Sequence, residues 1–258
     1  IEINTNLENI VEERTFSLKL ANDDLLNANK ELDMFIYRAS HGLKGPIARL
    51  LGMTLLAKMD NKDDVLKEYI NLIERGALDI NKILNKLNNI HFINRPNLLT
   101  EEIDFDKLIA ECQPNLENYI EPENLNIRLV SETNFRLRSD YILMKIIIEN
   151  LLENAVIFRK TRTTEIELEL RTDRKFIYIS VADHGLGIPK DQYDRIFDMF
   201  FRGSERSKGN GLGLYLVRKA VQKLHGEIHV ASTEGKFTCF TITLPKVIVP
   251  AELRSLVS

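Results

Sequence analysis

Cysteine is almost missing from this chain. The two present, Cys112 and Cys239, have no His/Cys cluster around them, so neither a disulfide framework nor a structural zinc site is available. Charge of one sign is missing too: the formal net charge is −3, which gives nucleic acid or an anionic membrane nothing to hold as a main partner. No apolar run approaches the ~20 residues of a membrane span, and there is no signal peptide. The chain begins at Ile1 rather than Met, so we expect a fragment working in reducing, cytoplasmic surroundings. Glycine is missing between Gly76 and Gly185, yet six of the 12 glycines lie from Gly185 to Gly213. The backbone of that short window is asked to do something that side chains forbid. What remains is ample: 258 residues, 44% hydrophobic and 28% charged, enough for one large domain or two ordinary ones.

The first stretch carries a heptad pattern. Val11, Leu18, Leu25 and Leu32 fit a positions, and Leu7, Arg14, Ala21, Ala28 and Phe35 fit d positions with one polar flaw. The stripe is narrow and its register is sustained, which predicts a dimeric coiled coil rather than a helix packed on a core. Ala39, Leu43, Ile47, Leu51 and Leu55 continue an apolar stripe, with Pro46 expected to kink the helix. A polar turn at 60–64 leads to a second helix with Val65, Tyr69, Leu72, Gly76, Ile80, Ile83, Leu87 and Ile90 on one stripe. Two such helices form an antiparallel hairpin, and stripes this wide call for a second copy and a four-helix bundle.

After a linker at 91–99 the pattern becomes mixed. Strands are expected at 101–104, 126–130, 135–138, 165–170, 176–181, 227–231 and 237–244. Helices are expected at 105–120, bent near Pro114, at 141–158 and at 211–224. This order predicts an α/β sandwich with helices on one face of a mixed sheet.

Three motifs carry chemistry. Asp183-His-Gly-Leu-Gly187 follows a strand: the glycines let a flat ligand approach closely, and the carboxylate is an acceptor suited to an exocyclic amine. Gly209-Asn-Gly211-Leu212-Gly213 opens a helix, where backbone N–H groups and the helix dipole cradle phosphates, with Arg202, Arg206 and Lys208 adding positive charge. It is neither a Walker A loop nor a dinucleotide fingerprint. Asn150 and Asn154 share one helical face and supply hard carbonyl oxygens suited to Mg²⁺ beside a triphosphate.

In this order and on these elements, the three motifs resemble the nucleotide-binding domain shared by histidine kinases, gyrase-type ATPases, heat-shock chaperone ATPases and mismatch-repair ATPases. The resemblance covers roughly residues 100–246. It implies an ATP–Mg²⁺ site with a lid: Asn154 as metal ligand, Asn150 on phosphate or metal-bound water, and Asp183 on the adenine amine supported by Thr238. Gly185, Gly187, Gly209, Gly211 and Gly213 shape the pocket and lid. Phe197 and Phe200-Phe201 match the phenylalanine-rich segment before the lid, and Gly235-Lys-Phe-Thr238-Cys-Phe240 matches the final strand, with Phe237 where relatives often carry Gly. ATP-hydrolysing members carry Glu where Asn150 stands. Histidine kinases carry Asn, which leaves the γ-phosphoryl for a nucleophile other than water.

Phe35-Ile-Tyr-Arg-Ala-Ser-His41-Gly-Leu-Lys44-Gly-Pro46-Ile47 resembles the phosphoacceptor box of sensor histidine kinases. With Leu32 at a and Phe35 at d, His41 falls on an outward c position, where a neutral imidazole is reachable and nucleophilic. Relatives carry Asp or Glu directly after this histidine and often Thr or Asn three residues later. Here Gly42 and Gly45 stand in those places, and Ile157 replaces the usual basic residue, with Arg159 nearby.

The sequence is thus read as a coiled-coil signalling helix (1–34), a dimerisation and phosphotransfer hairpin (35–95), a catalytic ATP-binding domain (96–247) and a tail (248–258). The expected activity is autophosphorylation on His41 and transfer to a receiver-domain aspartate of a response regulator. The protein would act as a homodimer under an upstream sensor outside this fragment. The alternative is a degenerate ATP-binding dimeric scaffold without efficient autokinase activity.

Overall fold

The computed structural model describes residues 11, 14–22, 25, 32, 43–59, 64–133, 135–203 and 211–246. The chain divides into two compact units, Ile1–His91 and Phe92–Ser258. Among the described residues no helix is long and apolar enough to cross a membrane.

In the first unit, residues 14–22 are helical, and Val11, Leu18, Leu25 and Leu32 of the heptad stripe are all exposed. Helix α1 (43–59) and helix α2 (Asp64–Asn94) follow. Ile47, early in α1, packs with Ala77 and Leu84 of α2 and with Leu51, while Lys58, at the end of α1, pairs with Glu74. Contacts that advance along one helix and retreat along the other make the hairpin antiparallel. The stripe that α2 buries is Ile70, Ala77 and Leu84, whereas Tyr69, Leu72 and Ile80 of the expected stripe are exposed. The two stripes lie one residue apart, so α2 has a second apolar flank beside the one α1 covers. Helix α2 also reaches Asn94, further than expected, because Ile90 and Ile93 are both buried. The expected kink at Pro46 involves residues before 43, which lie outside the described residues.

In the second unit, strand β1 (Thr100–Glu102) leads to helix α3 (Phe105–Leu116), whose Asp104 cap accepts the Lys107 N–H at 3.0 Å. The helix stops at Leu116 rather than at 120. Pro114 in the last turn lacks the N–H that an inner turn needs, and the N–H groups of Tyr119 and Ile120 both turn back to the Leu116 carbonyl. Strand β2 (Leu125–Ser131) follows, then β3 (Arg138–Asp140), helix α4 (Tyr141–Ile157), β4 (Thr164–Thr172), β5 (Phe176–Asp183), helix α5 (Gly213–Lys223), β6 (Glu227–Thr233) and β7 (Phe237–Pro245). The expected strand at 135–138 lies at β3 instead, where it pairs antiparallel with β1 as a separate ribbon.

The main sheet has the order β2-β4-β5-β7-β6, with β2–β4 parallel and every other pair antiparallel. It is therefore mixed. Alternation along β4, β5 and β7 puts Ile166, Leu168, Ile179, Val181, Phe240 and Ile242 on one buried face. Helix α4 is the centre of the layer on that face. It touches α3, α5, β4 and β5, and Met144, Ile147, Ile148, Leu151 and Leu152 are all essentially inaccessible. A helix buried on several sides is apolar most of the way round, so its few polar residues stand out.

The N-terminal end of α4 is held by one carboxylate. Asp140 is buried; its Oδ1 accepts the Leu143 N–H at 3.1 Å, and its Oδ2 accepts the Leu99 N–H at 2.8 Å and pairs with the Arg95 guanidinium. One side chain thus caps the helix and ties the segment after α2 to it. Replacing it with alanine strands a largely buried guanidinium, so Asp140→Ala is expected to lower stability by about 3–5 kcal/mol. Urea unfolding followed by circular dichroism measures this, and a loss below about 1 kcal/mol contradicts the role given to the clasp.

Candidate functional site

Asp183 is the last residue of β5, on the face that the helices cover, and is only 7% exposed. Its Oδ1 accepts the Gly185 N–H at 2.7 Å. Burial pushes its carboxyl up to about 6, against the lowering influence of that bond and of the nearby His184 and Lys160. The loop that follows is wedged between two other elements. Leu186 donates its N–H to the Phe158 carbonyl at the end of α4 (2.9 Å) and accepts the Gly235 N–H from the β6–β7 turn (2.7 Å). A Cβ on Gly185 would lie 2.5 Å from the Phe158 oxygen, and one on Gly187, at φ +70°, would lie 2.2 Å from the Thr233 oxygen. Side chains cannot enter either place, which is the use this fold makes of Gly-x-Gly. Lys160 closes the corner by donating to the Gly235 carbonyl.

Behind Asp183 stands Thr238, its direct cross-strand partner on β7, buried on the same face. Thr238 bonds not to Asp183 but to Ser232, with 3.3 Å between the two hydroxyl oxygens. Ser232 also donates to the Phe237 carbonyl (2.6 Å) and accepts the Ile188 N–H (2.8 Å). Tyr193 holds Ser232 from outside: its hydroxyl accepts the Ser232 N–H at 2.9 Å and donates to the Ser232 carbonyl at 2.6 Å. Ser232, Tyr193 and Lys160 were not singled out from the sequence. They sit in no motif: strand pairing brings Ser232 to Thr238, and side-chain hydrogen bonds bring Tyr193 to Ser232 and Lys160 to the β6–β7 turn. Phe237, where relatives often carry Gly, lies on the opposite face of β7 from Thr238, so its ring stays clear of this pocket.

The first residue of the asparagine pair meets the start of α5. Asn150 is 3% exposed; its Nδ2 donates to the Ile146 carbonyl at 2.7 Å, and its Oδ1 is buried with no partner. The Nδ2 of Asn154, one turn on, is also buried with no partner. A Cβ on Gly213 would lie 3.1 Å from the Asn150 Oδ1, so the first turn of α5 comes directly against this carboxamide. Leu212 occupies the cap position and offers no side-chain hydrogen bond to the helix. A helix start without a side-chain cap thus lies beside a carboxamide oxygen that has no partner.

No carboxylate competes for that place on α4. Glu149 bonds to Asn115 and Glu153 accepts the Tyr119 hydroxyl at 2.7 Å, both on the flank facing α3. The Arg159 guanidinium bonds back to the Val156 carbonyl at 2.7 Å. Burial pushes the Cys112 thiol up to about 12, out of reach of thiolate chemistry.

The segment before the glycine run is fastened at both ends. Phe200, at φ +64°, donates its N–H to the Gly211 carbonyl at 2.9 Å, and Gly211, at φ +70°, leaves no room for a Cβ beside Phe200. Phe197 packs edge-on against Phe240 at 6.3 Å, and the Arg195 guanidinium lies 4.8 Å from the centre of the Phe201 ring. Arg202 is exposed. Lys208 and Gly209 lie outside the described residues, as do His41 and Gly42. Lys44 belongs to α1 of the other unit and is half-buried. Asn150, Asp183, Gly185, Gly187, Gly211, Leu212, Gly213, Thr238 and the half-buried Asn154 all lie in the second unit.

Residues 139–248 match the family model described as histidine kinase-, DNA gyrase B-, and HSP90-like ATPase. The chain is similar to the sensor-like histidine kinase SenX3 of Mycobacterium tuberculosis, 30% identical over 249 residues, which cover 92% of this chain and 60% of that protein. It is also similar to solved structures. Full-length ShkA in complex with AMPPNP has a TM-score of 0.67 at 21% identity, covering 85% of this chain and 47% of that one. Histidine kinase ThkA in complex with response regulator protein TrrA has a TM-score of 0.56 at 23% identity, covering 81% and 60%. At these identities the structural likeness concerns the fold. The chain spans between 25% and 60% of the length of the first curated relatives it matches.

The raised Asp183 carboxyl has a stability consequence. Its folded value exceeds the unfolded one, so its contribution is fully present below about pH 4 and is lost as pH rises through about 6. A rise of that size corresponds to about 3 kcal/mol. Asp183→Asn is therefore expected to be more stable than the parent above pH 7, with the difference vanishing below pH 4, as read from urea unfolding across pH. Equal stabilities at pH 8 would contradict the burial argument.

Proposed function

We propose that this chain is the catalytic part of a sensor histidine kinase, a reading supported by its match to the ATPase family model and its similarity to SenX3, and that its second unit binds ATP with Mg²⁺ and delivers the γ-phosphoryl group to His41. The observation that carries this reading is the buried Asn150 Oδ1, without a partner and set against the first turn of α5, with the unpartnered Nδ2 of half-buried Asn154 one turn on. A buried amide atom without a partner costs about 1–3 kcal/mol, which a bound ligand can offset.

The roles follow from the chemistry of each group. Asp183, ionised, accepts the adenine amine at a wall that Gly185 and Gly187 keep free of side chains. The Asn154 carboxamide oxygen would be the hard ligand that holds Mg²⁺, and Asn150 would contact phosphate or water on the metal. The ion neutralises charge on the phosphates when bound. The N–H groups of the α5 first turn, from Gly211 through Leu212 and Gly213, face the phosphates, with Gly209, Arg202 and Lys208 on the lid side. Asn150 is no base for water, and the α4 carboxylates are engaged with α3. The γ-phosphoryl group is thus left for the imidazole. A lone pair of the His41 ring forms the N–P bond, the bond to the ADP oxygen breaks, and the ring proton leaves to solvent because Gly42 supplies no carboxylate. Lys44, one turn along, accompanies the charge. The phosphoryl group then passes to an aspartate of a response-regulator receiver domain. The similar kinase ThkA has been solved with a partner of this class, the response regulator protein TrrA.

A homodimer fits the hairpin. Met53, Leu56, Met59, Tyr69, Leu72 and Ile73 are exposed on α1 and α2, a second apolar flank of the kind a four-helix bundle buries. The exposed heptad stripe ahead of it fits a coiled coil descending from an upstream sensor.

The test uses γ-labelled ATP with Mg²⁺ and reads acid-labile, base-stable phosphate on the chain. Incorporation is expected in the parent and background only in His41→Gln. Label retained in His41→Gln overturns the phosphoacceptor assignment. No label in a parent that binds ATP favours the dimeric scaffold.

A further inference from the structure

The hydroxyl of Ser232 has one proton and two lone pairs, and all three are committed. The proton goes to the Phe237 carbonyl at 2.6 Å, and one lone pair takes the Ile188 N–H at 2.8 Å. The remaining contact, 3.3 Å to the Thr238 Oγ1, therefore has Ser232 as acceptor and Thr238 as donor. The Thr238 proton is spent there. What Thr238 presents beside Asp183 is lone pairs alone.

That matters because Asp183 by itself does not choose between purines. A carboxylate accepts equally from the amine of a 6-aminopurine or from the N1–H of a 6-oxopurine. A freely turning threonine hydroxyl does not choose either, since it can accept from an amine or donate to a carbonyl. With its proton directed away, it can only accept. An amine at the purine 6-position then finds acceptors on both sides, whereas a 6-oxo group sets lone pairs against lone pairs. We propose that Ser232, acting through Thr238, sets the preference of this pocket for a 6-amino over a 6-oxo purine nucleotide. The inference rests on the nucleotide reading of the Asp183 site and extends it to a residue outside the motifs.

The fixing of Ser232 supports this role. Ser232 is 9% exposed on β6, which among the described residues pairs with β7 alone, and edge strands are the part of a sheet most free to shift. Tyr193 takes up both its N–H and its carbonyl through one phenolic hydroxyl. The acceptor that directs Thr238 is thus held from the backbone side as well as through its own hydroxyl. Ser232 is a positioning residue: it acts on the base only through Thr238.

The experiment measures the affinities of ATP and inosine triphosphate, with Mg²⁺, for the whole chain. These nucleotides differ only at the 6-position and the adjoining N1 proton. The parent is expected to favour ATP, and Ser232→Ala to reduce the ratio of the two affinities about tenfold, because the Thr238 hydroxyl can then turn and donate to the 6-oxo group. Ser232→Thr, which keeps the hydroxyl, is expected to restore the ratio. In a Thr238→Val background, Ser232→Ala is expected to leave the ratio unchanged. Should Ser232→Ala fail to fold, Thr238→Val alone reads the same idea, with a reduced ratio expected. Equal weakening of both nucleotides by Ser232→Ala, or an unchanged ratio in Thr238→Val, overturns the proposal and leaves Ser232 a structural residue. A parent that binds neither nucleotide overturns the underlying reading of the site instead.

Discussion

At the end of α4 the Phe158 carbonyl accepts the N–H of Leu186, and through this bond the loop after Asp183 is seated on the same helix that carries Asn150 and Asn154. Both halves of the pocket thereby share one rigid support. The support is rigid because α4 is buried between α3, α5 and the sheet, with its first turn capped by Asp140. Packing at interior density leaves little play, and little play is what a phosphoryl donor needs to be held in line. Gly185 is the condition for the bond: with a Cβ there, the loop cannot come within reach of the Phe158 oxygen.

The same region holds the polar groups that fit worst in a protein interior. Asp183 is a carboxylate pushed up by burial, and Asn150 keeps an unpaired oxygen in a nearly closed site. Neither helps the chain fold. Where local cost and local rule-breaking coincide, the compensating partner is a ligand. Ser232 and Thr238 show the opposite economy, because every hydrogen-bonding capacity of the serine is used and the threonine is left with one chemical character. On the proposed reading, unsatisfied atoms are left for the nucleotide to complete, and satisfied ones set how its base is read.

The division into two units would separate nucleotide from nucleophile on the proposed reading. The second unit contains the described residues of the proposed nucleotide site, while the first carries the helical hairpin and its exposed apolar flank. A helix pair with one covered and one bare flank is what the proposed dimeric bundle would complete. A group that waits on one unit for a phosphoryl donor on another can be controlled by how often the two meet, without altering the chemistry of either. Gly42 sharpens the point, since without a neighbouring carboxylate the imidazole depends on presentation rather than on a local base.

Much of this was legible in the residues alone. The 3.6-residue periodicity located α2 and the two-residue alternation located β4, because each has one side in the core and the pattern is written by burial, whereas α4 was legible as a long apolar run. The order Asn-x-x-x-Asn, Asp-x-Gly-x-Gly, Gly-x-Gly-x-Gly pointed to the family model that the chain matches, and the close backbone approaches at Gly185 and Gly187 show why glycine stands there. Element ends were less legible. The stop of α3 at Leu116, the reach of α2 to Asn94 and the place of β3 depend on which N–H groups and apolar side chains find partners from distant segments. The stripe that α2 buries was ambiguous for the same reason, since two apolar flanks lie one residue apart and only the position of α1 chooses between them. Tertiary structure alone brought Ser232 and Tyr193 to the pocket and turned Thr238 away from Asp183. Periodicity reports whether a residue is inside, whereas the direction of a hydroxyl proton is settled by neighbours that the chain brings together from far apart in sequence.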